Sequence, residues 1–168
     1  MTQALVSIGS NIERDFHIEA AVHALRQLDP QCRFSRIFEA EPVGFEGPNF
    51  YNLIAELHTT QPLETFWQAI RDIERQHGRQ RDDIKYRDRT LDIDLLTFGD
   101  HCQPSGPTLP RNDIYKFAFT LWPLAELCPT QAVPGDGRTF AQLWQAFDQH
   151  QPLWPIDTPA YLKDQSSS

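Results

Sequence analysis

Two aspartates separated by one residue, Asp92 and Asp94, lie in the segment 89–99, which otherwise has the apolar composition of a buried strand. Because side chains alternate between the two faces of a strand, both carboxylates point the same way, roughly 6.5–7 Å apart. The opposite face carries the apolar residues Leu91, Ile93 and Leu95. Paired carboxylates need a cation, and Mg²⁺ prefers such oxygen ligands. The pair predicts a Mg²⁺ site; the alternative is an ion-pair network with Arg87 or Arg89.

Basic residues are concentrated immediately before the two aspartates. Of the fifteen lysines and arginines in the chain, seven lie in this stretch: Arg71, Arg75, Arg79, Arg81, Lys85, Arg87 and Arg89. Phosphoryl transfer needs cations next to a metal site, because catalysis depends on neutralising the charge spread over phosphate oxygens. The combination therefore favours a triphosphate site. The alternative is a solvated loop whose cations pair with Asp82, Asp83 and Asp88.

Aromatic residues occur at two further places along the chain. Phe45 and Phe50 lie in and after a proline- and glycine-rich loop, and Phe117 and Phe119 form a later pair. Flat rings of this kind can enclose a planar heterocycle, although each ring taken singly is as well explained by core packing. Polar groups that would orient such a ligand are the Asn52 amide and the backbone carbonyls of 42–44.

Composition limits the classes of partner. The chain has 168 residues with 40% apolar and 23% charged residues, which fits one soluble globular domain. A net charge of −8 argues against nucleic acid or an anionic membrane surface as the main partner, but not against a small phosphorylated ligand. Cys32, Cys102 and Cys128 have no metal-site or disulfide spacing, and no leader or membrane-span pattern is visible. We expect a monomer in the cytoplasm.

The elements that position these residues can be predicted from periodicity. Strands are expected at 4–8, at 32–38 with Phe34 and Phe38 on one face, at 51–57 and around the aspartates. Helices are expected after Asn11 and from Thr60 to a stop at Gly78. The order strand-helix-strand-strand-helix-strand predicts an α+β, ferredoxin-like split βαβ fold, with an antiparallel sheet and helices on one face.

The carboxyl-terminal part of the chain is expected to add to this unit. Apolar residues at helical spacing predict accessory helices over 118–128 and 139–147. Prolines and a serine run after residue 150 predict an extended tail over 151–168 that buries little surface. We therefore expect one domain over 1–150, followed by that tail.

Several separated motifs together resemble the 6-hydroxymethyl-7,8-dihydropterin pyrophosphokinase family. The most specific is Arg89-Thr90-Leu91-Asp92-Ile93-Asp94-Leu95-Leu96 with Phe98-Gly99; the others are Ile8-Gly9-Ser10-Asn11, Glu41-Pro42-Val43-Gly44, Ile73-Glu74 with Gly78-Arg79, and Leu121-Trp122-Pro123-Leu124. The resemblance runs from about residue 4 to about residue 147. It implies a ferredoxin-like fold and the transfer of diphosphate from ATP to the pterin hydroxymethyl group, which leaves AMP.

The resemblance also implies roles for individual residues. Asp92 and Asp94 would bind two Mg²⁺ ions, and Arg81 and Arg89 would contact phosphate as catalytic cations. The pterin would contact Pro42, Val43, Gly44, Phe50, Asn52 and Phe119. The nucleotide would contact Glu74, Arg81, Tyr86, Arg89, Thr108, Arg111 and Lys116. In this reading the partners are ATP and the pterin, with no nucleic acid and no membrane.

The chain departs from the family pattern after Leu109-Pro110. Arg111 stands where the family usually has histidine, and Phe117 stands where it usually has arginine. Arg111 and the neighbouring Lys116 can supply the missing cations, although a lysine gives a point charge instead of a planar fork. The departures leave a non-catalytic pterin- or nucleotide-binding paralogue as an alternative. A nucleotidyltransferase and an RNA-binding domain fit the motif spacing and the net charge less well.

Overall fold

The computed structural model describes residues 1–77 and 90–163, which form an antiparallel sheet and flanking helices. The strands are β1 (Thr2–Ser10), β2 (Arg33–Phe34), β3 (Phe38–Ala40), β4 (Phe50–Thr59), β5 (Asp92–Phe98) and β6 (Leu153–Pro155). The helices are α1 (Arg14–Leu28), α2 (Leu63–Arg75), α3 (Asp113–Lys116), α4 (Ala118–Leu127) and α5 (Phe140–Ala146). The strand order is β5-β1-β4-β3-β6, with β2 also paired to β4. The α+β fold predicted from the element order is confirmed.

The sheet separates two apolar cores. On one face, Val6 and Leu53 pack with residues of α1 and α2 such as Ile18 and Ile70. On the other face, Leu5, Ile54 and Leu96 pack with α3, α4 and α5. The accessory helices are therefore a second layer that covers the face opposite α1 and α2. Among the described residues, no helix combines the length and apolar character needed to cross a membrane.

Local sequence explains the helix bounds. α2 buries Phe66, Ile70 and Ile73 on one stripe and ends at Arg75, with Gln76 as its C-cap. Gly78, the predicted stop, lies outside the described residues. α5 begins with a capping box, in which the Thr139 hydroxyl accepts from Gln142 N and the Gln142 side chain accepts from Thr139 N. Such reciprocal bonds satisfy two of the backbone donors that a helix start leaves unpaired.

The continuous strand expected at 32–38 is wrong. The chain forms β2 and β3 instead, and Phe34 pairs with Ala55 while Phe38 pairs with Asn52. The five residues from Phe34 to Phe38 lie opposite the four from Asn52 to Ala55, so the face reverses: Phe34 packs in the α1 and α2 core, and Phe38 contacts Trp122 of α4. The Ser35 hydroxyl accepts a hydrogen bond from Ile54 N at 2.9 Å, which replaces a backbone acceptor at the break.

The tail also differs from the expectation of an extended segment with little buried surface. It is extended, but β6 pairs with β3 along the sheet edge. A 3₁₀ turn at Ala160–Leu162 follows and buries Leu162 against the α1 and α2 core. The tail up to residue 163 is thus part of the folded unit.

Candidate active site

Three carboxylates converge beside the edge strand β5. Asp92 and Asp94 lie on β5, and Glu74 lies on α2. One ligand oxygen from each lies within 4.8 Å of the others. Glu74 is 1% exposed, and its Oε2 accepts a hydrogen bond of 2.7 Å from Ile93 N, between the two aspartates. The predicted orientation of the aspartate pair is confirmed, and Glu74 completes an acidic cluster.

Arg111 is the described cation next to this cluster. Its backbone N–H donates to Leu96 O at 2.9 Å, which places residue 111 alongside β5. Its guanidinium lies 3.5 Å from Asp94 Oδ1 and 3.2 Å from Asp113 Oδ2. Arg111, predicted as a nucleotide contact, is thus paired with two carboxylates, and its contact with phosphate stays a prediction.

Burial and charge perturb Asp94 strongly. Burial raises the pKa of Asp94 well above its usual range, and the Asp92 carboxylate raises it further. Arg111 acts in the opposite direction, whereas Asp113 and Glu74 add to the rise. Negative charge therefore exceeds positive charge at this place among the described residues. A cation bound between these oxygens would relieve the repulsion.

Asn52 lies in the same row of the sheet as Asp92. Gly9 of β1 pairs with Asp92 on one side and with Asn52 on the other, so the two side chains share a face across a glycine. Asn52 is 7% exposed, and its Nδ2 has no hydrogen-bond partner among the described residues. A Cβ on Gly9 would lie 2.9 Å from Asn52 Oδ1. The glycine therefore keeps room for an amide that still has a hydrogen bond to donate.

The aromatic residues predicted to enclose a heterocycle form two ring pairs, and the predicted loop contains a glycine turn. Phe50, at the start of β4, is half-buried, and its ring meets Phe45 edge to face at 6.2 Å. Phe117 and Phe119 stack at 4.8 Å with an interplanar angle of 14°. Gly44 adopts a φ of 89° in the loop with Pro42 and Val43, a conformation that favours glycine.

The position of α4 is fixed relative to Asn52 by Phe38. Phe38 pairs with Asn52 across β3 and β4, and its ring lies 4.8 Å from the Trp122 ring on α4. Phe119 lies one turn before Trp122 on the same helix. The turn of α4 that carries Trp122 therefore lies close to the strand pair that carries Asn52, and Phe119 precedes Trp122 by three residues.

The remaining residues predicted to contact the nucleotide lie in a loop, at the end of α3, or outside the described residues. The Thr108 hydroxyl donates to Pro104 O at 2.8 Å within its loop. Lys116 is exposed at the end of α3, with Nζ 5.6 Å from the Phe117 ring centroid. Arg81, Tyr86 and Arg89 lie outside the described residues, as do Arg79, Lys85, Arg87, Asp82, Asp83 and Asp88 of the basic segment. Their roles stay predictions.

Two site residues were not predicted in the roles that the structure gives them. Glu74 was expected to contact the nucleotide, and the structure places it in the carboxylate cluster. It follows Ile70 by four residues on the apolar stripe of α2, and a carboxylate on such a stripe is a signal of a buried function. Gly9 was noted as part of a turn motif, but its place between Asp92 and Asn52 depends on strand register.

Comparison with known proteins identifies the family. The family model of 7,8-dihydro-6-hydroxymethylpterin-pyrophosphokinase matches residues 5–129. A 2-amino-4-hydroxy-6-hydroxymethyldihydropteridine pyrophosphokinase of Pseudomonas aeruginosa is 35% identical over 151 residues, covering 84% of this chain and 89% of the relative. Its Bacillus subtilis namesake is 33% identical over 131 residues, covering 74% and 77%.

Solved structures agree in fold. A crystal structure of wild-type Plasmodium falciparum HPPK-DHPS with SDX-DHP has a TM-score of 0.66 at 14% identity. The match covers 88% of this chain and 44% of that chain, so this chain spans less than half of that protein. Together with the matched family model and the relatives above, the acidic cluster and the Asn52 row lead to one conclusion. The chain belongs to the 7,8-dihydro-6-hydroxymethylpterin-pyrophosphokinase family.

Proposed function

We propose that Glu74, Asp92 and Asp94 form a Mg²⁺ site for the reaction of this family. That reaction transfers diphosphate from ATP to 6-hydroxymethyl-7,8-dihydropterin in folate biosynthesis. The observation that carries the proposal is the shared row of the sheet. Asp92 and Asn52 flank Gly9 on one face, so a phosphate group bound through the aspartates would lie next to a heterocycle bound by Asn52.

The donor set fits Mg²⁺. Carboxylate oxygens are its preferred protein ligands, and opposite ligands of an octahedral ion lie about 4 Å apart. The oxygens of Glu74, Asp92 and Asp94 lie within 4.8 Å of one another. Because Glu74 Oε2 also accepts from Ile93 N, we assign direct binding to the two aspartates and orientation of the pair to Glu74. The number of ions is proposed as two, from the family resemblance.

Different residues of this chain bind the pterin and the phosphate groups of ATP. Asn52 donates from Nδ2 to the edge of the pterin, and the Phe50 and Phe119 rings cover its faces. Arg111 neutralises phosphate charge from the far side of Asp94, and the exposed Lys116 adds a second cation. The pterin hydroxyl oxygen attacks the β-phosphorus and gives up its proton to solvent, and the bond from that phosphorus to the α–β bridging oxygen breaks, which releases AMP. When bound, Mg²⁺ would neutralise charge on the phosphate oxygens.

Product analysis tests the proposal. Purified protein is incubated with ATP, Mg²⁺ and 6-hydroxymethyl-7,8-dihydropterin, and AMP and the pterin diphosphate are measured by chromatography and mass spectrometry. We expect Asp92→Asn and Asp94→Asn each to lower turnover by at least about a hundredfold, the scale seen when charge stabilisation of a transition state is lost. The matched control is Asp100→Asn, an exposed aspartate just after β5, which should retain turnover.

Metal binding provides an independent measurement. Calorimetric titration with Mg²⁺ and a non-hydrolysable ATP analogue should show weaker binding in both aspartate variants than in the Asp100→Asn control. Full activity in Asp92→Asn and Asp94→Asn would show that the site is wrong. Pterin binding by the unmodified protein without AMP formation would instead favour the non-catalytic paralogue.

A further inference from the structure

The junction between α3 and α4 consists of one extended residue, Phe117. Its φ of −120° and ψ of 123° separate Lys116, the last residue of α3, from Ala118, the first of α4. Phe117 is also the N-cap of α4, and a phenyl ring cannot accept the hydrogen bonds that a capping side chain usually accepts. The Ala118 N–H, one of the donors that a helix start leaves unpaired, needs an acceptor from elsewhere in the chain.

Gln151 of the tail provides that acceptor. Its Oε1 accepts from Ala118 N at 2.8 Å, and its Nε2 donates to Lys116 O at 2.9 Å and to Gln149 Oε1 at 3.2 Å. In an extended segment, the C=O before a residue and the N–H after it point the same way. One side-chain amide therefore pairs with both peptide groups that flank Phe117, as a neighbouring strand would.

The residue after Gln151 contacts the opposite wall of the proposed pterin site. Pro152 O accepts a hydrogen bond from Glu41 N at 3.1 Å, directly before the loop 42–44. β6 begins one residue later and pairs with β3. Two consecutive tail residues thus bond to the segment that carries the stacked rings and to the segment that carries the loop.

We propose that Gln151 is a positioning residue for the pterin, acting through Phe117 and Phe119. This inference rests on the proposed function, because it takes Phe119 as a wall of the pterin site. The family model matches residues 5–129, so Gln151 lies beyond the matched segment. The amide fixes the backbone around Phe117, and the Phe117 ring, stacked at 4.8 Å, supports one face of Phe119.

Loss of the Gln151 amide is expected to change how often the Phe119 ring occupies its binding-competent position. Without Gln151, the Ala118 N–H and the Lys116 C=O exchange their partner for water, and the dihedrals of Phe117 are less restricted. The binding-competent position of the Phe119 ring is then occupied for a smaller fraction of the time, and the apparent pterin affinity falls by that fraction. The carboxylate cluster and Arg111 lie outside the junction, and the exposed Lys116 ammonium takes part in none of the bonds that Gln151 makes, so we expect phosphate binding to be unaffected.

Two variants of Gln151 separate positioning from folding. Gln151→Ala removes both bonds to the junction. In Gln151→Glu the carboxylate can still accept from Ala118 N and favours the helix start electrostatically, but it cannot donate to Lys116 O. We expect the pterin KM to rise about fivefold or more in Gln151→Ala, since one net hydrogen bond of this kind changes an equilibrium by about that factor. The rise should be smaller but measurable in Gln151→Glu.

Three quantities are measured for each variant: the pterin KM, kcat, and the Kd for the Mg²⁺ complex of an ATP analogue. The control variant is Gln145→Ala, because Gln145 is exposed on α5. The proposal requires kcat and nucleotide Kd to stay within about twofold of the control while pterin KM rises. Hydrogen exchange should also accelerate at Ala118 N and not at Leu121 N, which bonds Phe117 O at 3.0 Å.

A pterin KM equal to that of Gln145→Ala in both variants overturns the inference, as does a parallel loss of nucleotide affinity and kcat. Failure of the proposed function is distinguishable, because it would appear in the unmodified protein as no pterin diphosphate formation. If Gln151→Ala does not fold, the test uses Gln151→Glu, which retains the bond at the helix start. A pterin KM of Gln151→Glu above that of Gln145→Ala then supports the inference, and an equal KM overturns it.

Discussion

Gly9 determines what can fit between Asn52 and Asp92. The residue lies within β1, where an extended backbone accepts any side chain without strain, so its requirement for glycine comes from its neighbour. A methyl group there would lie 2.9 Å from Asn52 Oδ1, closer than unbonded carbon and oxygen atoms approach. The buried amide would have to turn, and with it the Nδ2 donor that we assign to the pterin.

We expect Gly9→Ala to weaken pterin binding by about tenfold or more, because displacing a hydrogen-bond donor by a fraction of an ångström disrupts its alignment. Overpacking should also lower the free energy of unfolding by about 1–3 kcal/mol. Fluorescence titration with the pterin and thermal unfolding measure the two effects.

The control for Gly9→Ala is the double variant with Asn52→Ala. Removing the amide removes the clash, so unfolding stability should recover while pterin affinity stays low. If Gly9→Ala binds the pterin as tightly as the unmodified protein does, the row of Asn52, Gly9 and Asp92 does not define the site.

Site residues differ in how far the sequence predicts them. Asp92 and Asp94 could be predicted because strand periodicity alone places them on one face. Asn52 could be predicted as a polar residue on a strand face that also carries Ile54. Glu74 and Gly9 take their roles from contacts between elements far apart in the sequence, and periodicity within one element contains no information about those contacts.

Arg14 at the start of α1 fixes the end of the loop that leads into β4. Its Nη1 donates to Glu39 Oε2 at 3.1 Å and to Asn49 O at 3.2 Å, and its guanidinium lies 3.8 Å from the Tyr51 ring centroid. Burial raises the pKa of Glu39, but hydrogen bonds from Arg14 and Asn49 outweigh it, so the pKa is lowered overall. One helix start thus connects β3, β4 and the loop between them.

We predict that Arg14→Ala raises the pterin KM by about threefold to tenfold and lowers unfolding stability by about 1–3 kcal/mol, since hydrogen bonds to a charged group and a cation–π contact are lost together. The pterin KM and unfolding stability of Arg14→Lys should lie between those of Arg14→Ala and the unmodified protein, because a lysine keeps the charge without the planar fork. Steady-state kinetics and urea unfolding measure both quantities.

Arg75→Ala is the matched control, because Arg75 is an exposed arginine paired with Asp72 on its own helix. Arg75→Ala should change neither the pterin KM nor the unfolding stability by more than a small fraction. Equal effects of Arg14→Ala and Arg75→Ala would contradict a specific role for Arg14 in fixing the loop.

At the scale of elements, the helices were predicted closely and one strand was not. The periods of α2, α4 and α5 follow from apolar spacing, and the capping box of α5 is local in sequence. The predicted strand at 32–38 fails because an extra residue between Phe34 and Phe38 reverses the face, and alternating residues look the same with or without such a break. Pairing with β4 is what reveals it.

A polar network joins β1, β2 and β4 to the segment that follows α4. Glu56, which is 9% exposed, accepts from Gln3 Nε2 and from Arg33 Nε at 2.6 Å each. Gln3 in turn exchanges hydrogen bonds with Gln131, which follows α4. Burial raises the pKa of Glu56, but the bonds from Gln3 and Arg33 outweigh it and lower the pKa overall. The charged form of Glu56 therefore stabilises the fold.

Glu56→Gln should lower the free energy of unfolding by about 1–3 kcal/mol at pH 7, because hydrogen bonds to a charged acceptor are replaced by weaker ones. A carboxyl whose folded pKa is lowered contributes stability above its ordinary value of 4.5 and loses that contribution as pH falls through the folded value. The difference between the two proteins should therefore shrink as pH falls below 4.5.

Urea unfolding of both proteins between pH 7 and pH 3 measures this difference. The exposed Glu19 on α1 supplies the control, Glu19→Gln, for which we expect little change at any pH. A Glu56→Gln difference that is the same at every pH would contradict the role of the charge. Turnover at pH 7 should be unchanged, since Glu56 lies away from the proposed site.

For the whole molecule, element order was enough to predict the fold class, because the alternation of strands and helices permits few arrangements. The second layer was less predictable: accessory helices could be located in the sequence, but not the sheet face that they cover. The tail was expected to bury little, since its prolines and polar residues have no period. Its place in the fold depends on the open edge of β3, a feature that exists only after the sheet has formed.

The register shift in β5 limits which changes of length the gene can accept. Leu5 pairs with Thr97 and Val6 with Leu95, so Leu96 is an extra residue, and Phe98 packs in the α1 and α2 core although its number has the same parity as Asp92 and Asp94. Deleting one residue at this point would restore strict alternation. Phe98 would stay in the core and the aspartates on their present face, whereas deleting Ile93 would put Asp92 and Asp94 on opposite faces of the strand. A single-codon deletion is therefore better tolerated at the register shift than between the two aspartates.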